Sequence, residues 1–207
     1  MYSLRKLLSE QSFSGKTFIS VDIQPEYESS FGFKIYQFTS FLSKIYVSVN
    51  RILFLYNGAD TLGMIFENDY KIWLMENELP EEVLESAVFY DKGYAFFRYC
   101  IDSGINEDSV ANFVRFMYEN DIRDSRDLDR SVWAKYLRQY RRTDKKEVYD
   151  LLKTSGDNVH IPDLMDFLKR HNNVVLTGGG VNECLKEVEI AFKALNKPYS
   201  VYSKFTY

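Results

Sequence analysis

The chain is 207 residues long and 45% of its residues are hydrophobic, which fits one domain with a sizeable core. Its net charge of −4 argues against a surface made mainly for binding nucleic acid. No run approaches the ~18 apolar residues that a membrane span needs, and the 2 cysteines give no disulfide framework. These features favour a cytoplasmic protein whose partners are neither nucleic acid nor membrane.

Residues 1–15 are predicted to form an N-terminal leader or surface helix ahead of a domain that covers residues 16–207. The triplet Leu8-Ser9-Glu10 resembles the Leu-x-Glu ends of leaders on proteins of large tailed bacteriophages, some of which a prohead protease removes. A processed chain would then begin at Gln11. A plain surface helix is the alternative that the sequence leaves open.

Strands and helices alternate along much of the remaining chain. Helical spacing of apolar residues predicts helices at residues 36–49, 67–77 and 81–86. Apolar runs predict strands at residues 17–22, 51–56, 87–92, 174–176 and 199–205. This alternation predicts an α/β fold with a parallel-centred sheet and helices on both faces.

Residues 104–153 read as helical and interrupt the alternation, so we expect an inserted helical subdomain at about 104–158. It could be an extra layer packed on the sheet, or a lid or partner surface, since long insertions often serve binding. Residues 121–129, which are charged and poor in apolar side chains, are the best candidate for an internal linker.

Cys184 follows a glycine turn and precedes a helical pattern, which places it in the first turn of a helix. The unpaired N–H groups there and the positive end of the helix dipole favour a thiolate and could bind an oxyanion, with Gly179, Gly180 and Glu183 forming the turn. Alternatively, Cys184 is an ordinary small apolar residue at a strand-to-helix junction, as we expect Cys100 to be in the core.

Two charged residues close other predicted strands. Asp22 ends the first apolar run and Lys92 ends the run that starts at Ala87. Open α/β sheets bind ligands at the carboxyl ends of their strands, so Asp22, Lys92 and Cys184 could meet at one edge.

The ordered segments Val21-Asp22-Ile23-Gln24, Lys92 and Thr177-Gly178-Gly179-Gly180-Val181-Asn182-Glu183-Cys184 resemble those of isochorismatase-like cysteine hydrolases, which include nicotinamidases and carbamoylases. The resemblance covers roughly residues 16–101 and 160–204. It implies a Rossmann-like three-layer fold and an Asp-Lys-Cys triad. In that triad Asp22 would accept the thiol proton, Lys92 would orient the carboxylate and Cys184 would attack an amide carbonyl. The backbone N–H groups of Glu183 and Cys184 would bind the oxyanion.

The chain also departs from that family. The stretch between Lys92 and Cys184 is longer than usual, and aromatic residues follow Lys92 where the family tends to have Ser-Ala-Phe. These departures put the shape of the pocket and the substrate in question. Side chains near the three segments are candidates for substrate binding: Gln24, Tyr27, Asn57, Tyr94, Phe97 and Asn182.

Metal and cofactor binding are not expected. Nicotinamidases of the family hold a zinc-type ion with an Asp and two His near the second strand, whereas Asp60 has no histidine close to it in the sequence. His160 and His171 are expected in turns or on the surface. The expected partner is a small-molecule substrate, with self-association into a homo-oligomer suggested by the aromatic and apolar content.

Two functions from different classes remain. The first is a metal-independent cysteine hydrolase that acts on an amide or related C–N bond of a small molecule. The second is a catalytically inactive relative with the same fold that serves as a phage binding or virion-associated protein. The Asp, Lys and Cys favour the first function, and the enlarged insertion and the leader favour the second.

Overall fold

The computed structural model describes residues 13–60, 63–92, 104–139, 147–148, 150, 152, 159–161 and 163–207. The chain divides into two compact units. The sheet unit contains the described residues of 4–94, 171–185 and 198–207, and the helical unit contains those of 95–170 and 186–197. Residues 1–12 of the expected leader, together with Tyr94, Phe97 and Cys100, lie outside the described residues. Residues 13–15 are described, and Phe13 is buried in the core of the sheet unit rather than lying at the surface.

The sheet unit confirms the predicted α/β class. Its elements in chain order are β1 (Thr17–Val21), α1 (Ile35–Ile45), β2 (Arg51–Tyr56), β3 (Ala59–Asp60), β4 (Gly63–Met64), α2 (Glu67–Glu76), α3 (Glu81–Ser86), β5 (Val88–Asp91), β6 (Val174–Gly178) and β7 (Tyr199–Val201). Five strands form one parallel sheet in the order β5-β2-β1-β6-β7. The short strands β3 and β4 form a separate antiparallel hairpin that the sequence did not predict.

The central strands are buried on both faces, as their continuous apolar runs require. All residues of β1 and β6 are buried, including the neighbours Phe18 and Ile19, whose side chains point to opposite faces. On one face, α1 packs Phe38 and Leu42 into the core cluster that contains Phe18. A parallel sheet in this setting directs the carboxyl ends of its strands to one edge.

The helical unit contains α4 (Glu107–Glu119), α5 (Arg130–Gln139), α6 (Leu164–Lys169) and most of α7 (Cys184–Ala194). Phe113 of α4 stacks on Trp133 of α5, with ring centroids 5.7 Å apart. The Arg115 guanidinium donates to the carbonyl of Ala194 at 2.8 Å, which satisfies one of the acceptors that a helix end leaves open.

Three predicted elements differ from the observed ones. The helix predicted at residues 36–49 ends at Ile45, and the chain turns from there toward β2. Helix does not run through residues 104–153, because the chain after α4 forms a 3₁₀ turn at Ser125–Asp127 and a β-bridge from Asp124 to His160. The closing strand stops at Val201, after which a 3₁₀ turn at Ser203–Phe205 brings the buried Phe205 into the core of the sheet unit. The described part of the chain contains no helix that is both long and apolar enough to cross a membrane.

Candidate active site at the carboxyl edge of the sheet

Three polar residues directly follow three neighbouring strands. Asp22 follows β1, Asn57 follows β2 and Lys92 follows β5. The strands are parallel and in register, with Val21 opposite Leu55 and Tyr56 opposite Asp91. The structure therefore brings Asp22, Asn57 and Lys92 to one edge of the sheet, with Asn57 on the strand between the other two.

Asp22 and Lys92 form an ion pair that is almost closed to solvent. The Lys92 Nζ lies 3.0 Å from the Asp22 Oδ2, and the two side chains are 3% and 0% exposed, respectively. Burying either charge alone would cost several kcal/mol, so each residue depends on the other. The second oxygen, Asp22 Oδ1, is buried without a hydrogen-bond partner among the described residues.

The backbone of Asp22 is held in an unusual conformation. Its φ of 47° lies in the left-handed region, which costs a residue with a side chain about 1 kcal/mol. The Asp22 N–H donates to the carbonyl of Leu55 at 2.9 Å, and its carbonyl accepts from the Tyr207 hydroxyl at 2.8 Å. These two bonds fix the backbone on both sides of the strained residue.

Two glycines let the chain turn sharply after β6. Gly178 has a φ of +79°, and a Cβ at this position would lie 2.3 Å from the carbonyl oxygen of Val21. Gly179 has a φ of +63°, and a Cβ there would lie 2.8 Å from the backbone nitrogen of Leu185. Only glycine fits both positions, so the turn lies against the end of β1 and next to the start of α7.

Cys184 is the first residue of α7, as the sequence predicted, and its side chain is partly exposed. The carbonyl of Gly180 accepts from the N–H of Glu183 at 2.9 Å and from that of Leu185 at 3.3 Å. The expectation that the Glu183 N–H is open to an oxyanion is wrong, because this N–H closes the turn instead. The backbone of Gly179, Gly180 and Glu183 shapes the turn that delivers Cys184.

Tyr207 belongs to the site, although no sequence motif marks it. Its backbone N–H donates to Gly179 at 3.2 Å and its backbone carbonyl accepts from Val181 at 2.8 Å, while its hydroxyl binds the Asp22 carbonyl. Burial raises the pKa of Tyr207, and electrostatic interactions with Asp22 and then Cys184 raise it further. The phenol therefore stays protonated near neutral pH and lies within the field of both predicted catalytic residues.

Three of the predicted substrate-binding residues form an amide cluster at the same edge. The Gln24 side chain accepts from the Asn57 N–H at 2.9 Å and donates to the Asn57 carbonyl at 3.2 Å. Gln24 thus holds the backbone of Asn57. The Asn57 Nδ2 donates to the Tyr27 hydroxyl at 3.4 Å, whereas its Oδ1 is buried without a hydrogen-bond partner in the described residues. Asn57 thus keeps one buried acceptor without a donor, whereas Asn182 is exposed in the turn.

The predicted absence of a metal stays a prediction. Within the described ranges, no group of three His, Cys, Asp or Glu side chains is arranged to hold a metal ion. His160 pairs with Asp124 in the helical unit, with 3.0 Å between Nδ1 and Oδ2. His171 precedes β6 and therefore lies at the amino end of that strand, away from the carboxyl edge.

Comparison of the chain with protein-family models, with curated proteins and with solved structures finds no match. The fold and the site together define the class: an α/β protein with a parallel sheet and a buried Asp-Lys pair at its carboxyl edge. The similarity to isochorismatase-like hydrolases rests on the ordered segments around Asp22, Lys92 and Cys184, and it enters below as a proposal.

Proposed function

We propose that this protein is a metal-independent cysteine hydrolase that cleaves an amide or related C–N bond of a small molecule. The observation that carries the proposal is the buried ion pair between Asp22 and Lys92, with 3.0 Å between Oδ2 and Nζ. This pair lies at the sheet edge to which the turn after β6 leads, and Cys184 follows that turn. A buried carboxylate and ammonium at a strand edge are costly to maintain, which supports a functional role.

The surroundings of Asp22 suit a proton acceptor. Its Oδ1 is buried and has no hydrogen-bond partner among the described residues, so one oxygen is available to a donor. Lys92 compensates the charge of the carboxylate, whose side chain is fully buried. Tyr207 binds the Asp22 carbonyl through its hydroxyl and the turn before Cys184 through its backbone, which supports the two residues lying near the same phenol.

The proposed reaction has two halves. In the first, Asp22 accepts the thiol proton of Cys184 and the thiolate attacks the carbonyl carbon. The C–N bond then breaks, the leaving nitrogen takes the proton from Asp22, and a thioester remains on Cys184. In the second half, Asp22 accepts a proton from water while the hydroxide attacks the thioester. The C–S bond then breaks, the acid product leaves, and the Cys184 thiolate takes the proton that Asp22 holds.

The oxyanion of each tetrahedral intermediate needs positive potential. With the Glu183 N–H engaged by Gly180, the remaining sources are the amino end of α7, an 11-residue helix, and the Lys92 ammonium. Helix amino ends carry roughly half a positive charge, which acts over the first turn where Cys184 lies.

The rate of alkylation of Cys184 by iodoacetamide, measured peptide by peptide across pH, tests the proposal without a known substrate. We expect the rate to rise with a midpoint below the ~8.5 of an ordinary thiol, and Cys184 in urea-unfolded protein to show the ordinary midpoint. Asp22→Asn is expected to slow alkylation near neutral pH, because the thiol loses its proton acceptor.

The choice of control variants depends on the burial of the Asp22–Lys92 ion pair. Either single change leaves a buried charge uncompensated, the Asp22 carboxylate in Lys92→Met and the Lys92 ammonium in Asp22→Asn, which destabilises a protein by about 3–5 kcal/mol. The double variant Asp22→Asn/Lys92→Met removes both charges and is the better-folded comparison. Cys184→Ala identifies the labelled peptide. An ordinary midpoint that the double variant leaves unchanged contradicts the proposal.

One observation favours the second candidate, a catalytically inactive protein of this fold that acts by binding, such as a virion-associated phage protein. The Glu183 N–H, which an acyl-transfer site would use for an oxyanion, is engaged within the turn. In an inactive binding protein of this kind, the Asp22–Lys92 pair would serve only to stabilise the fold. The same alkylation experiment decides between the two, since a binding protein needs no activated thiol.

A further inference from the structure

Tyr207 contacts two parts of the candidate site, namely the turn before Cys184 and the segment that begins at Asp22. Through its backbone it binds Gly179 and Val181 in the turn before Cys184, at 3.2 Å and 2.8 Å. Through its hydroxyl it binds the carbonyl of Asp22, at 2.8 Å. One residue therefore contacts both the segment that carries the thiol and the segment that carries the carboxylate.

The bond to Asp22 acts on a residue that needs to be held. Asp22 has a φ of 47°, and a buried carbonyl without a donor would favour rotation of its peptide toward another conformation. Because the pKa of Tyr207 is raised by burial and by Asp22 and Cys184, its hydroxyl remains a donor throughout the neutral and moderately alkaline range.

We propose that Tyr207 is a positioning residue whose hydroxyl fastens the backbone of Asp22 to the turn that carries Cys184. It sets the placement of the Asp22 carboxylate relative to the thiol and takes no part in bond making or breaking. The effect on Cys184 chemistry rests on the function proposed above, whereas the link between the two segments does not.

Tyr70 supplies a matched control on the same segment. Its hydroxyl donates to the carbonyl of Ile23, the residue after Asp22, at 2.6 Å. Burial, followed by the charges of Asp22 and Glu26, raises its pKa well above the usual value. Tyr70 lies in α2, and its hydroxyl bonds to Ile23 rather than to the turn at residues 178–184. Tyr70→Phe and Tyr207→Phe thus remove the same kind of bond from adjacent carbonyls, and only the second removes a link to the turn.

Hydrogen exchange of the full chain tests the link itself. Tyr207→Phe keeps the aromatic ring near Phe31, with centroids 5.0 Å apart in the native residue, and keeps the backbone bonds of residue 207. We expect amide exchange to speed up about 2- to 10-fold both at residues 22–24 and at residues 179–185, as loss of one hydrogen bond predicts. Tyr70→Phe is expected to speed exchange at residues 22–24 and to leave residues 179–185 at the wild-type rate.

A double-mutant cycle on Cys184 alkylation tests the positioning role. Tyr207→Phe is expected to slow alkylation at neutral pH several-fold and to shift its pH midpoint upward, whereas Tyr70→Phe leaves the midpoint unchanged. In an Asp22→Asn background, Tyr207→Phe is expected to have little further effect, because it acts through Asp22. If Tyr207→Phe only lowered the stability of the fold, it would change the alkylation rate by the same factor in the wild-type and the Asp22→Asn backgrounds.

The outcomes separate the two proposals. If wild-type Cys184 behaves as an ordinary thiol, the hydrolase proposal fails, and hydrogen exchange alone decides whether Tyr207 links the segments. If exchange at residues 179–185 is the same in Tyr207→Phe and Tyr70→Phe, the link is overturned. Should Tyr207→Phe fail to fold, native-state exchange of the wild type decides. Equal opening free energies for residues 22–24 and 179–185 support the link, and clearly different ones refute it.

Discussion

Asp22 carries three costs at once, which is unusual for a single residue. Its backbone is left-handed, its carboxylate is 0% exposed, and neither carboxylate oxygen has a hydrogen-bond partner among the described residues, although Oδ2 forms the ion pair with Lys92. Each cost is about 1 kcal/mol or more. Residues that combine such costs cluster at functional sites, where the surrounding structure holds them in place. Leu55, Lys92 and Tyr207 provide that support here.

Gly178 allows a direct test of the turn that leads to Cys184. We expect Gly178→Ala to lower the free energy of unfolding by more than about 3 kcal/mol, because the new Cβ would lie 2.3 Å from the Val21 carbonyl oxygen in a left-handed residue. Urea denaturation followed by Trp73 fluorescence, in a Trp133→Phe background, measures the change within the sheet unit.

Gly15 is the matched control for this substitution. Its φ of +69° is similar, but a Cβ there would meet no atom within 4 Å. Gly15→Ala is therefore expected to cost only the backbone strain, about 1 kcal/mol. Equal losses in the two variants would mean that the close approach of Gly178 to β1 does not matter.

The sequence could predict the position of a site residue where that residue lies at the end of a strand or directly after a glycine turn. Apolar runs that stop at Asp22 and before Lys92 locate both residues, and a glycine turn before a helical pattern locates Cys184. Tyr207 could not be found in this way, because its role depends on the C-terminal segment passing beside both the turn and β1. The engagement of the Glu183 N–H was missed because it depends on the local turn from Gly180 to Glu183, which no sequence motif marks.

Elements whose ends carry a clear local signal were predicted best. The strand Arg51–Tyr56 and the helix Glu81–Ser86 agree with their predicted bounds. The break between α4 and α5 falls in residues 121–129, the segment that its charge and its lack of apolar side chains marked as a linker, and Asp129 stands at its end. This carboxylate accepts from the N–H groups of Ser131 at 2.7 Å and Val132 at 2.9 Å, as a helix N-cap does. An Asp followed directly by a periodic segment was therefore the available signal.

The pairing of α4 with α7 makes a prediction about pH. Glu107 of α4 accepts from Lys186 at 2.7 Å and from Lys193 at 2.8 Å, both on α7. Burial alone would raise the pKa of Glu107, but the hydrogen bonds and charges of the two lysines outweigh it and lower the pKa below its ordinary 4.5. The two ion pairs therefore contribute their full stabilisation of the fold above pH 4.5, the ordinary pKa of the carboxyl. They lose it as the pH falls through the lower pKa that Glu107 has in the folded protein.

We expect Glu107→Gln to lower the free energy of unfolding by about 0.5 kcal/mol near neutral pH, a modest value because Glu107 is partly exposed. The difference from wild type is expected to vanish in strong acid. Urea denaturation followed by Trp133, in a Trp73→Phe background, provides the measurement. Glu119→Gln removes an exposed charge from the other end of α4 and is expected to change little. A loss for Glu107→Gln that persists unchanged in acid would rule out the ion pairs as its cause.

For the whole molecule, alternation of strands and helices was enough to predict the parallel sheet, because βαβ connections allow few other arrangements. The composition of the helical unit was not predictable in the same way. It takes in residues 186–197 as well as the stretch 95–170, so most of α7 groups with helices far away in sequence. Helical periodicity shows which residues of a helix face a hydrophobic core, but it does not show whether that core belongs to the sheet unit or to the helical unit.

The absence of a bound metal is a prediction about the intact protein. The site residues we propose are a carboxylate, an ammonium and a thiol, and the Lys92 ammonium so close to Asp22 opposes a cation there. We expect elemental analysis of purified protein to find transition metals well below one equivalent. Chelator treatment is expected to leave Cys184 alkylation unchanged. Stoichiometric, tightly held zinc would contradict this prediction.

The position of β1 in the sheet has a consequence for how the protein folds. β1 pairs on one side with β2, which follows soon after it, and on the other with β6, which comes after the whole intervening chain. Folding must therefore close a very long loop, a slow step that leaves the apolar edge of β1 open to wrong partners until β6 docks. The carboxylate and the ammonium can meet early, but the turn that carries Cys184 reaches the same edge only when this last central strand is inserted. A nascent chain of this protein is expected to be aggregation-prone until that moment, and in the proposed hydrolase Cys184 would not be activated before it.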